Sequence, residues 1–171
     1  MIIPWIIGVI VTLFILIAMI SLLSSSNKLL RRSLKTGDAR AKLQTQIRQH
    51  AALLSDWGNL LKTEYPEAAI PIAVPCENAL QANTAVELEE ANKQLTTLEQ
   101  SLLEATKNAG FATTNPRLST ILTQLKSVHQ AIAAARAHYN ETVKIYNEAL
   151  ARFPAKIVAK LFRYQPRAFL E

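Results

Sequence analysis

The chain opens on an apolar run, from Ile2 to Leu23, that no charged residue interrupts. As a helix this run crosses a hydrocarbon core of roughly 30 Å. A cleaved signal peptide would have a shorter apolar part, basic residues before it and an A-x-A motif after it. We therefore predict a retained transmembrane anchor over residues 1–23, delimited by Ile2 and Leu23, with Trp5 at the membrane interface.

Basic residues follow the anchor in a juxtamembrane segment over residues 24–37. Four of them are predicted to contact lipid headgroups, at about 1 kcal/mol each: Lys28, Arg31, Arg32 and Lys35. Because basic flanks tend to stay in the cytoplasm, we predict a single-pass protein of the inner (cytoplasmic) membrane, with the bulk of the chain in the cytoplasm.

The remainder, residues 38–171, is long enough to bury a core of its own. Glycine is scarce, whereas Ala, Leu, Gln, Glu and Lys are plentiful, which favours helix over sheet. Cys76 is the only cysteine, so a disulfide within the chain and a cysteine-rich metal site are excluded. The positive charge is dispersed and falls in no nucleic-acid-binding motif, so we predict no nucleic-acid partner.

Charge is distributed along the chain in blocks. Residues 24–63 hold eight basic and two acidic side chains, residues 64–110 hold two and eight, and residues 111–171 hold nine and three. An acidic middle helix between two basic ones suits an antiparallel bundle. We predict an all-α fold in which the transmembrane helix continues into an antiparallel bundle of three long helices, followed by a short C-terminal helix.

The first predicted break between helices covers residues 65–75, which contain three prolines. Thr84 and Glu87 fit a capping box, so the middle helix could begin there rather than near Pro75. The second predicted break runs from residue 110 to residue 115. It ends at Asn115, which suits an N-cap, and is followed by proline, which suits a first helical position.

Apolar residues recur at spacings of three, four and seven, which lines one face of each helix and indicates near-parallel packing. The predicted stripes are Leu43, Ile47, Leu54, Trp57 and Leu61; Leu88, Ala91, Leu95, Leu98, Leu102 and Ala105; and Leu118, Leu125, Ile132, Tyr139, Tyr146 and Phe153. Gly37 and Gly58 each weaken the first helix by about 1 kcal/mol relative to Ala, and Gly37 is a candidate hinge.

With three helices of alternating direction, the C-terminal part of the chain lies at the end of the bundle far from the membrane. Residues 155–164 form a basic amphipathic stretch, which in isolation indicates membrane-surface binding. In this topology we instead predict a short helix that covers the far end of the bundle against Ile70, Ile72 and Val74.

A specific motif lies in the last third of the chain. It comprises Arg136, Tyr139-Asn140, Val143, Tyr146-Asn147, Phe153-Pro154, Ile157, Ala159, Phe162 and Phe169-Leu170-Glu171. This pattern resembles the LemA family, whose members share an AR-x-x-YN-x-x-V-x-x-YN helix, a following FP and an aromatic-rich tail. A weaker resemblance extends over residues 39–54 of the first helix.

The resemblance implies an N-terminally anchored helical bundle with no established catalytic activity. Some relatives take part in building magnetosome membranes, and others are encoded beside a membrane metalloprotease. The sequence departs from the family pattern at Arg40, where Trp is common, at Ser55-Asp56, where the family has Pro-Asn, and at Arg163, where Gly usually separates two aromatic residues.

The Tyr-Asn pairs have a structural interpretation. Tyr139 and Tyr146 belong to the core stripe, and Asn140 and Asn147 lie one position round the helix, where amides can bond across helices and fix register. The alternative is a polar ligand or peptide groove lined by these four residues. The full candidate interaction or register-fixing motif comprises Arg136, Tyr139, Asn140, Tyr146, Asn147, Phe153 and Pro154.

We predict no catalytic, cofactor-binding or metal site. A di-iron bundle needs Glu three residues before His, and Ile47, Lys126 and Ala135 precede the three histidines at that spacing. Phosphate-binding glycine loops, HExxH and Gly-x-Ser-x-Gly are also absent from the sequence.

The leading hypothesis is a membrane-anchored scaffold or interaction protein without catalytic activity. It would bind membrane lipids through its anchor and as yet unidentified protein partners, with a homo-oligomer as an open option. Two alternatives remain. One is a regulatory adaptor of a membrane protease or signalling system, and the other is a membrane-remodelling or organelle-membrane assembly factor that acts as an oligomer.

Overall fold

The computed structural model describes residues 3–64, 71–108 and 115–171. Its helices are α1 (Ile3–Glu64), α2 (Ala73–Gln81), α3 (Ala85–Asn108), α4 (Pro116–Ala151) and α5 (Ala155–Leu161). The predicted all-α fold, in which an N-terminal apolar helix continues into a helical bundle, is confirmed. Ile2, Ile70, Gly110 and the side chain of Trp5 lie outside the described residues.

Helix α1 joins the apolar run to the charged part of the chain as a single helix of 62 residues. Among the described helices, it alone is long and apolar enough to cross a membrane. Its most apolar window has a mean hydropathy of 2.0, and none of that window is buried. A contiguous apolar surface that the protein leaves uncovered is consistent with a membrane anchor.

Of the two possible starts of the middle helix, the structure has the one at the Thr84 capping box, and the predicted helix start at Asn115 is confirmed. The Glu87 N–H donates to Thr84 Oγ1 at 3.2 Å and the Thr84 N–H donates to Glu87 Oε2 at 3.1 Å, which is the reciprocal capping box of α3. Asn115 Oδ1 accepts a hydrogen bond from the Arg117 N–H at 2.9 Å, and Pro116 is the first residue of α4.

Helix α2 was not predicted. The break was expected to extend through Pro75, but α2 already begins at Ala73. This boundary was wrong because Pro75 is the third residue of the helix. The first turn of a helix does not use the N–H that proline lacks, so proline is tolerated there.

The chain divides into two compact units, and α1 and α4 each run through both. The anchor unit comprises Met1–Gly37 and Glu141–Ala168. The bundle unit comprises Asp38–Asn140 and Phe169–Glu171.

Within the bundle unit, α3 runs in the same direction as α1. His50 Nε2 lies 3.1 Å from Glu99 Oε2. Seven residues further along both helices, Trp57 Nε1 donates to Thr106 Oγ1, also at 3.1 Å.

Helix α2 supplies the reversal that makes this parallel arrangement possible. It runs back along α1, since Arg48 Nη2 donates to the Leu80 carbonyl at 2.8 Å and Gln44 Nε2 donates to the Ala82 carbonyl at 2.6 Å. The chain therefore makes one more reversal than the sequence predicted.

The predicted apolar stripes form the core of the bundle unit. The buried members are Leu43, Ile47, Leu54, Trp57, Leu61, Leu88, Ala91, Leu95, Leu98, Leu102, Leu118, Leu125, Ile132 and Tyr139. Ala105 is half-buried. The assignment of Phe153 to the stripe was wrong: it is 81% exposed, because α4 ends at Ala151 and the helical periodicity ends with it.

Within the anchor unit, α5 packs on α1 and α4 through a small apolar cluster. The buried members are Leu29, Tyr146, Ala149, Val158 and Ala159, and the half-buried Leu22, Leu150 and Tyr164 pack against them. Leu22 and Leu29 bracket the end of the apolar run, so α5 lies where α1 changes from apolar to charged.

The prediction that residues 155–164 cover the far end of the bundle was therefore wrong. Of the predicted partners, Ile72 lies against Gly58, and Val74 is exposed. The error follows from the missed helix α2. With one further reversal, α4 returns toward the apolar part of α1, and α5 follows it there.

Candidate functional site

Asn147 of α4 binds the backbone of the C-terminal tail, which we define as residues 163–171. Its Nδ2 donates to the Arg167 carbonyl at 2.9 Å, and its Oδ1 accepts from the Arg167 N–H at 3.0 Å. One side-chain amide thus satisfies both backbone groups of one tail residue, as a neighbouring strand would. This contact lies in the anchor unit.

Asn140 makes the same paired contact in the bundle unit. Its Nδ2 donates to the Leu170 carbonyl at 2.8 Å, and its Oδ1 accepts from the Leu170 N–H at 2.9 Å. The Leu170 side chain is buried. Backbone groups of a tail can be buried only when they are paired, and the two asparagines provide that pairing.

The spacing of the two asparagines matches the spacing of the residues they bind. Seven residues of α-helix rise about 10.5 Å, from Asn140 to Asn147. Three residues of extended chain cover about 10 Å, from Arg167 to Leu170. The seven-residue repeat of the Tyr-Asn pairs is therefore the repeat that an extended tail requires.

The Tyr146 hydroxyl strengthens the tail contact in the anchor unit by donating to the Gln165 carbonyl at 3.1 Å. The Arg167 guanidinium lies 5.2 Å from the centre of the Tyr146 ring and donates to Ser33 Oγ at 3.0 Å. Burial raises the pKa of Tyr146, and the charge of Arg167 only partly offsets this, so the hydroxyl remains a donor.

Arg136 holds the end of the tail in the bundle unit. Its Nη1 donates to the Glu171 carbonyl oxygen at 2.6 Å, while its buried Nε has no hydrogen-bond partner in the described part of the chain. Tyr139 is buried in the core. Phe153 and Pro154 lie apart from these contacts, at the start of α5 and joined by a cis peptide bond.

The structure thus brings Arg136, Tyr146 and both asparagines of the predicted motif onto the tail. The amides were predicted to bond across helices, but they bond to the tail backbone instead. Both asparagines are half-buried, and in each unit the partner of the amide is a backbone segment of the protein's own tail.

The tail begins at a helix end that requires a left-handed residue. Arg163 has φ of 56°, and the Tyr164 N–H donates to the Ala159 carbonyl at 3.0 Å. This is a Schellman motif, in which glycine is the usual residue at the left-handed position. Arg163, where the family pattern usually has glycine, is therefore at a position whose left-handed backbone costs free energy for any residue with a Cβ.

A second polar cluster lies in the bundle unit, where α1, α3 and α4 meet. Glu99 Oε2 is 3.1 Å from His50 Nε2 and 2.9 Å from His129 Nε2, and the two histidine nitrogens are 3.4 Å apart. His50 is fully buried, Glu99 is mostly buried, and His129 is half-exposed. Burial opposes ionisation of Glu99, but the hydrogen bonds from His50 and His129 help to outweigh it, and the pKa of the carboxyl is lowered.

The donor set of this cluster suits a metal ion, since two imidazoles and a carboxylate bind zinc or ferrous iron. A point equidistant from the three atoms lies about 1.8 Å from each, so bonds of roughly 2.0–2.1 Å are geometrically possible. However, a metal-bound imidazole donates its second N–H to an acceptor, and the buried Nδ1 of His50 has none among the described residues.

A hydrogen-bonded cluster fits better, in which Nε2–H of His50 and Nε2–H of His129 each donate to Glu99. Nδ1 of His50 then carries no hydrogen and needs no acceptor. The sequence carried a signal for this cluster that was missed. His50 completes the stripe of the first helix, which then alternates in steps of four and three from Leu43 to Leu61. A histidine in a core stripe needs a polar partner from another helix.

Comparison with known families adds a decisive observation. The model of the LemA family matches residues 67–171. The chain belongs to the LemA family. No curated protein matches it.

The LemA match begins before α2 and includes the tail, both Tyr-Asn pairs, Glu99 and His129. It covers the middle helix, which the motif resemblance had left out. It does not reach the first helix, so the weaker resemblance over residues 39–54 stays a prediction.

The predicted headgroup contacts precede the LemA match. Lys28, Arg31 and Lys35 are exposed, and Arg32 is half-buried. Arg32 and Lys35 line a small cavity of about 280 Å³ with Thr142 and Ile145, within the anchor unit. All four basic side chains follow the apolar run within about 18 Å of helix, which suits their predicted role.

Proposed function

We propose that this LemA family protein is a membrane-anchored scaffold, which presents a helical surface to other proteins and has no catalytic role. The observation that carries the proposal is α1. It is one unbroken helix whose apolar part is uncovered and whose charged part contributes a core stripe to the bundle. No loop separates the two parts, so the proposed anchor and the first helix of the bundle are one continuous helix.

The face formed by α2 and α3 is the best candidate for the partner surface. Val74 and Val86 are exposed on it by 62% and 69%. Shallow cavities of about 590 and 390 Å³ lie between the two helices. Glu77 and Glu90 add negative charge, so we propose a partner that offers a basic segment with apolar side chains.

Photo-crosslinking in native membranes tests this surface. We expect a crosslinker placed at Val86 of the full chain to give a discrete adduct with a partner protein. The matched control carries the crosslinker at Gln130, an exposed position on α4. Adducts at neither position, or equally at both, would contradict the proposed surface, and an adduct of twice the protein's own mass would identify a homo-oligomer.

A cytoplasmic location of the bundle is part of the proposal and needs an exposed reporter. Cys76 is unsuitable for labelling because it is half-buried, its Sγ donates to the Ala51 carbonyl, and burial raises the pKa of its thiol. Val86→Cys in a Cys76→Ser background is exposed. We expect a membrane-impermeant maleimide to label it only after cell lysis, and labelling of intact cells would reverse the orientation.

The two alternatives differ from the scaffold in what the crosslinks would contain. A regulatory adaptor predicts an adduct with a membrane protease or a signalling protein. A membrane-remodelling factor predicts adducts between copies of this chain, together with altered membranes on overproduction.

A further inference from the structure

Helix α5 and its flanks carry a group of large apolar side chains that the protein leaves exposed. Phe153, Ile157, Leu161 and Phe162 are exposed by 81%, 50%, 74% and 61%. The opposite side of the helix is buried, through Val158 and Ala159. A seven-residue helix therefore divides its apolar residues between a covered face and an uncovered one, and packing inside the protein explains only the first.

The same segment is basic. Arg152, Lys156, Lys160 and Arg163 are exposed, and no acidic residue lies between Ala149 and Tyr164. Exposed aromatic and aliphatic side chains beside lysines and arginines are typical of helices that lie in the interface of an anionic bilayer. Long basic side chains can extend from such a helix toward the phosphate groups.

Within the anchor unit, α5 lies next to the end of the apolar run of α1, where the surface of a spanned bilayer would be. Its buried side packs against Leu29, and Leu22 packs against the same cluster. Leu29 follows the end of the apolar run at Leu23 by about 9 Å of helix. The headgroup region on each side of a bilayer is roughly 5–8 Å thick, so α5 lies beside α1 at about headgroup depth.

We propose that α5 and its flanks form a second membrane contact, which inserts Phe153, Ile157, Leu161 and Phe162 into the anionic surface of the bilayer that α1 spans. This inference rests on the proposed anchoring by α1. Three observations carry it: apolar side chains exposed without an internal partner, a basic segment without acids, and direct packing beside the end of the anchor. Each basic residue near an anionic surface raises binding about fivefold.

The test uses the full chain with Cys76 replaced by Ser and an environment-sensitive fluorophore at Phe162→Cys. The protein is reconstituted in phosphatidylcholine vesicles with and without phosphatidylglycerol, some of which contain spin-labelled lipids as quenchers. The matched control carries the fluorophore at Val86→Cys, a position that is similarly exposed (69% against 61%) but lies in the bundle unit. A second reporter at Leu161→Cys covers the case in which labelling at 162 disturbs folding.

We expect quenching at least threefold stronger at 162 than at 86, and stronger with phosphatidylglycerol than without it. The double change Lys156→Glu and Lys160→Glu should remove most of that lipid dependence while the helical content is unchanged. An unquenched probe at 162 on protein that still floats with the vesicles would overturn this inference and leave the anchoring by α1 intact. A blue-shifted but unquenched probe would mean that protein covers α5, which also overturns it.

Protein that no longer floats with vesicles would overturn the anchoring itself, and this inference with it.

Discussion

Different interactions stabilise the interior of each of the two units. The bundle unit buries apolar stripes from α1, α3 and α4, with one polar cluster at His50. The anchor unit has one small apolar cluster around Leu29, and polar side chains fix its tail segment. Its remaining apolar surface, on α1 and α5, is uncovered. The comparison shows that periodic burial builds the core of one unit, whereas the other combines a small apolar cluster, a tail held by polar side chains and a large uncovered apolar surface.

The largest effect should come from the core of the bundle unit. Leu54 is fully buried, so Leu54→Ala should lower the free energy of unfolding by about 2–5 kcal/mol. The matched control is Leu34→Ala in the same helix, where leucine is 59% exposed and the loss should stay below about 0.5 kcal/mol. Urea denaturation of the full chain in mild detergent measures both, and equal losses would contradict the assigned core.

The second-largest effect should come from removing the hydrogen bonds that hold the C-terminal tail. Asn140→Ala and Asn147→Ala each remove two hydrogen bonds and leave half-buried backbone groups without these partners, at about 1–3 kcal/mol. Trypsin cleavage after Arg167 reports release of the tail and should accelerate in both variants. The control Glu148→Ala, at an exposed position beside Asn147, should leave the cleavage rate unchanged. A tail that wild-type protein already exposes to trypsin would refute the paired contacts.

The two glycines of α1 should respond in opposite directions. A Cβ at Gly58 would clash with Cδ1 of Ile72 at a cost of about 1–3 kcal/mol, only partly offset by the roughly 1 kcal/mol of helix propensity that alanine adds, so Gly58→Ala should destabilise the protein by up to about 2 kcal/mol. Nothing lies within 4 Å of a Cβ at Gly37, so Gly37→Ala should stabilise α1 by about 1 kcal/mol. Denaturation midpoints measure both changes. Destabilisation by Gly37→Ala would support the hinge that the sequence suggested there.

The polar cluster should make stability depend on pH through Glu99. The pKa of Glu99 is below its ordinary value of 4.5 in the folded protein, so its contribution is present above that value. It is lost as the pH falls through the lower, folded pKa. Denaturation at a series of pH values should therefore show a larger loss below about pH 4.5 in wild type than in Glu99→Gln. The exposed Glu104→Gln serves as control and should follow wild type.

The smallest effect concerns the start of the tail. Arg163 has a left-handed backbone, which costs a residue with a side chain roughly 1 kcal/mol more than glycine. Arg163→Gly should therefore raise the free energy of unfolding by up to about 1 kcal/mol. Arg163→Ala removes the same side chain without freeing the backbone, and should not stabilise. Equal changes in the free energy of unfolding for the two variants would show that the arginine side chain, and not the backbone angle φ, determines the effect.

How far the sequence predicted the structure differs between the two units. In the bundle unit, heptad spacing identified the core, and local residues such as Thr84 and Asn115 identified helix starts, because both depend on neighbours in the chain. Helix α2 was missed because residues 65–75 were assigned to a break, and the residues up to Thr84 were weighed only as more of that break or as the start of the middle helix, not as a separate helix. That single omission reversed the expected path of the chain and placed α5 at the wrong end.

The contacts of the tail could not be predicted from periodicity. The Tyr-Asn repeat indicated paired amides, but the partners of Asn140 and Asn147 lie 30 and 20 residues away, in an extended segment with no pattern of its own. His50, Glu99 and His129 likewise come from three helices. Only the alternation of the first stripe, with His50 in it, hinted that a core position was polar.

The most direct test is the distance between the end of the anchor and α5. Spin labels at Leu23→Cys and Phe162→Cys, in the full chain with Cys76→Ser, allow this distance to be measured by pulsed electron–electron double resonance. Because α5 packs beside Leu22 and Leu29, we expect less than about 25 Å, about two helix diameters. A distance near 60 Å, the helical rise from residue 23 to residue 64, would place α5 at the far end and contradict the account.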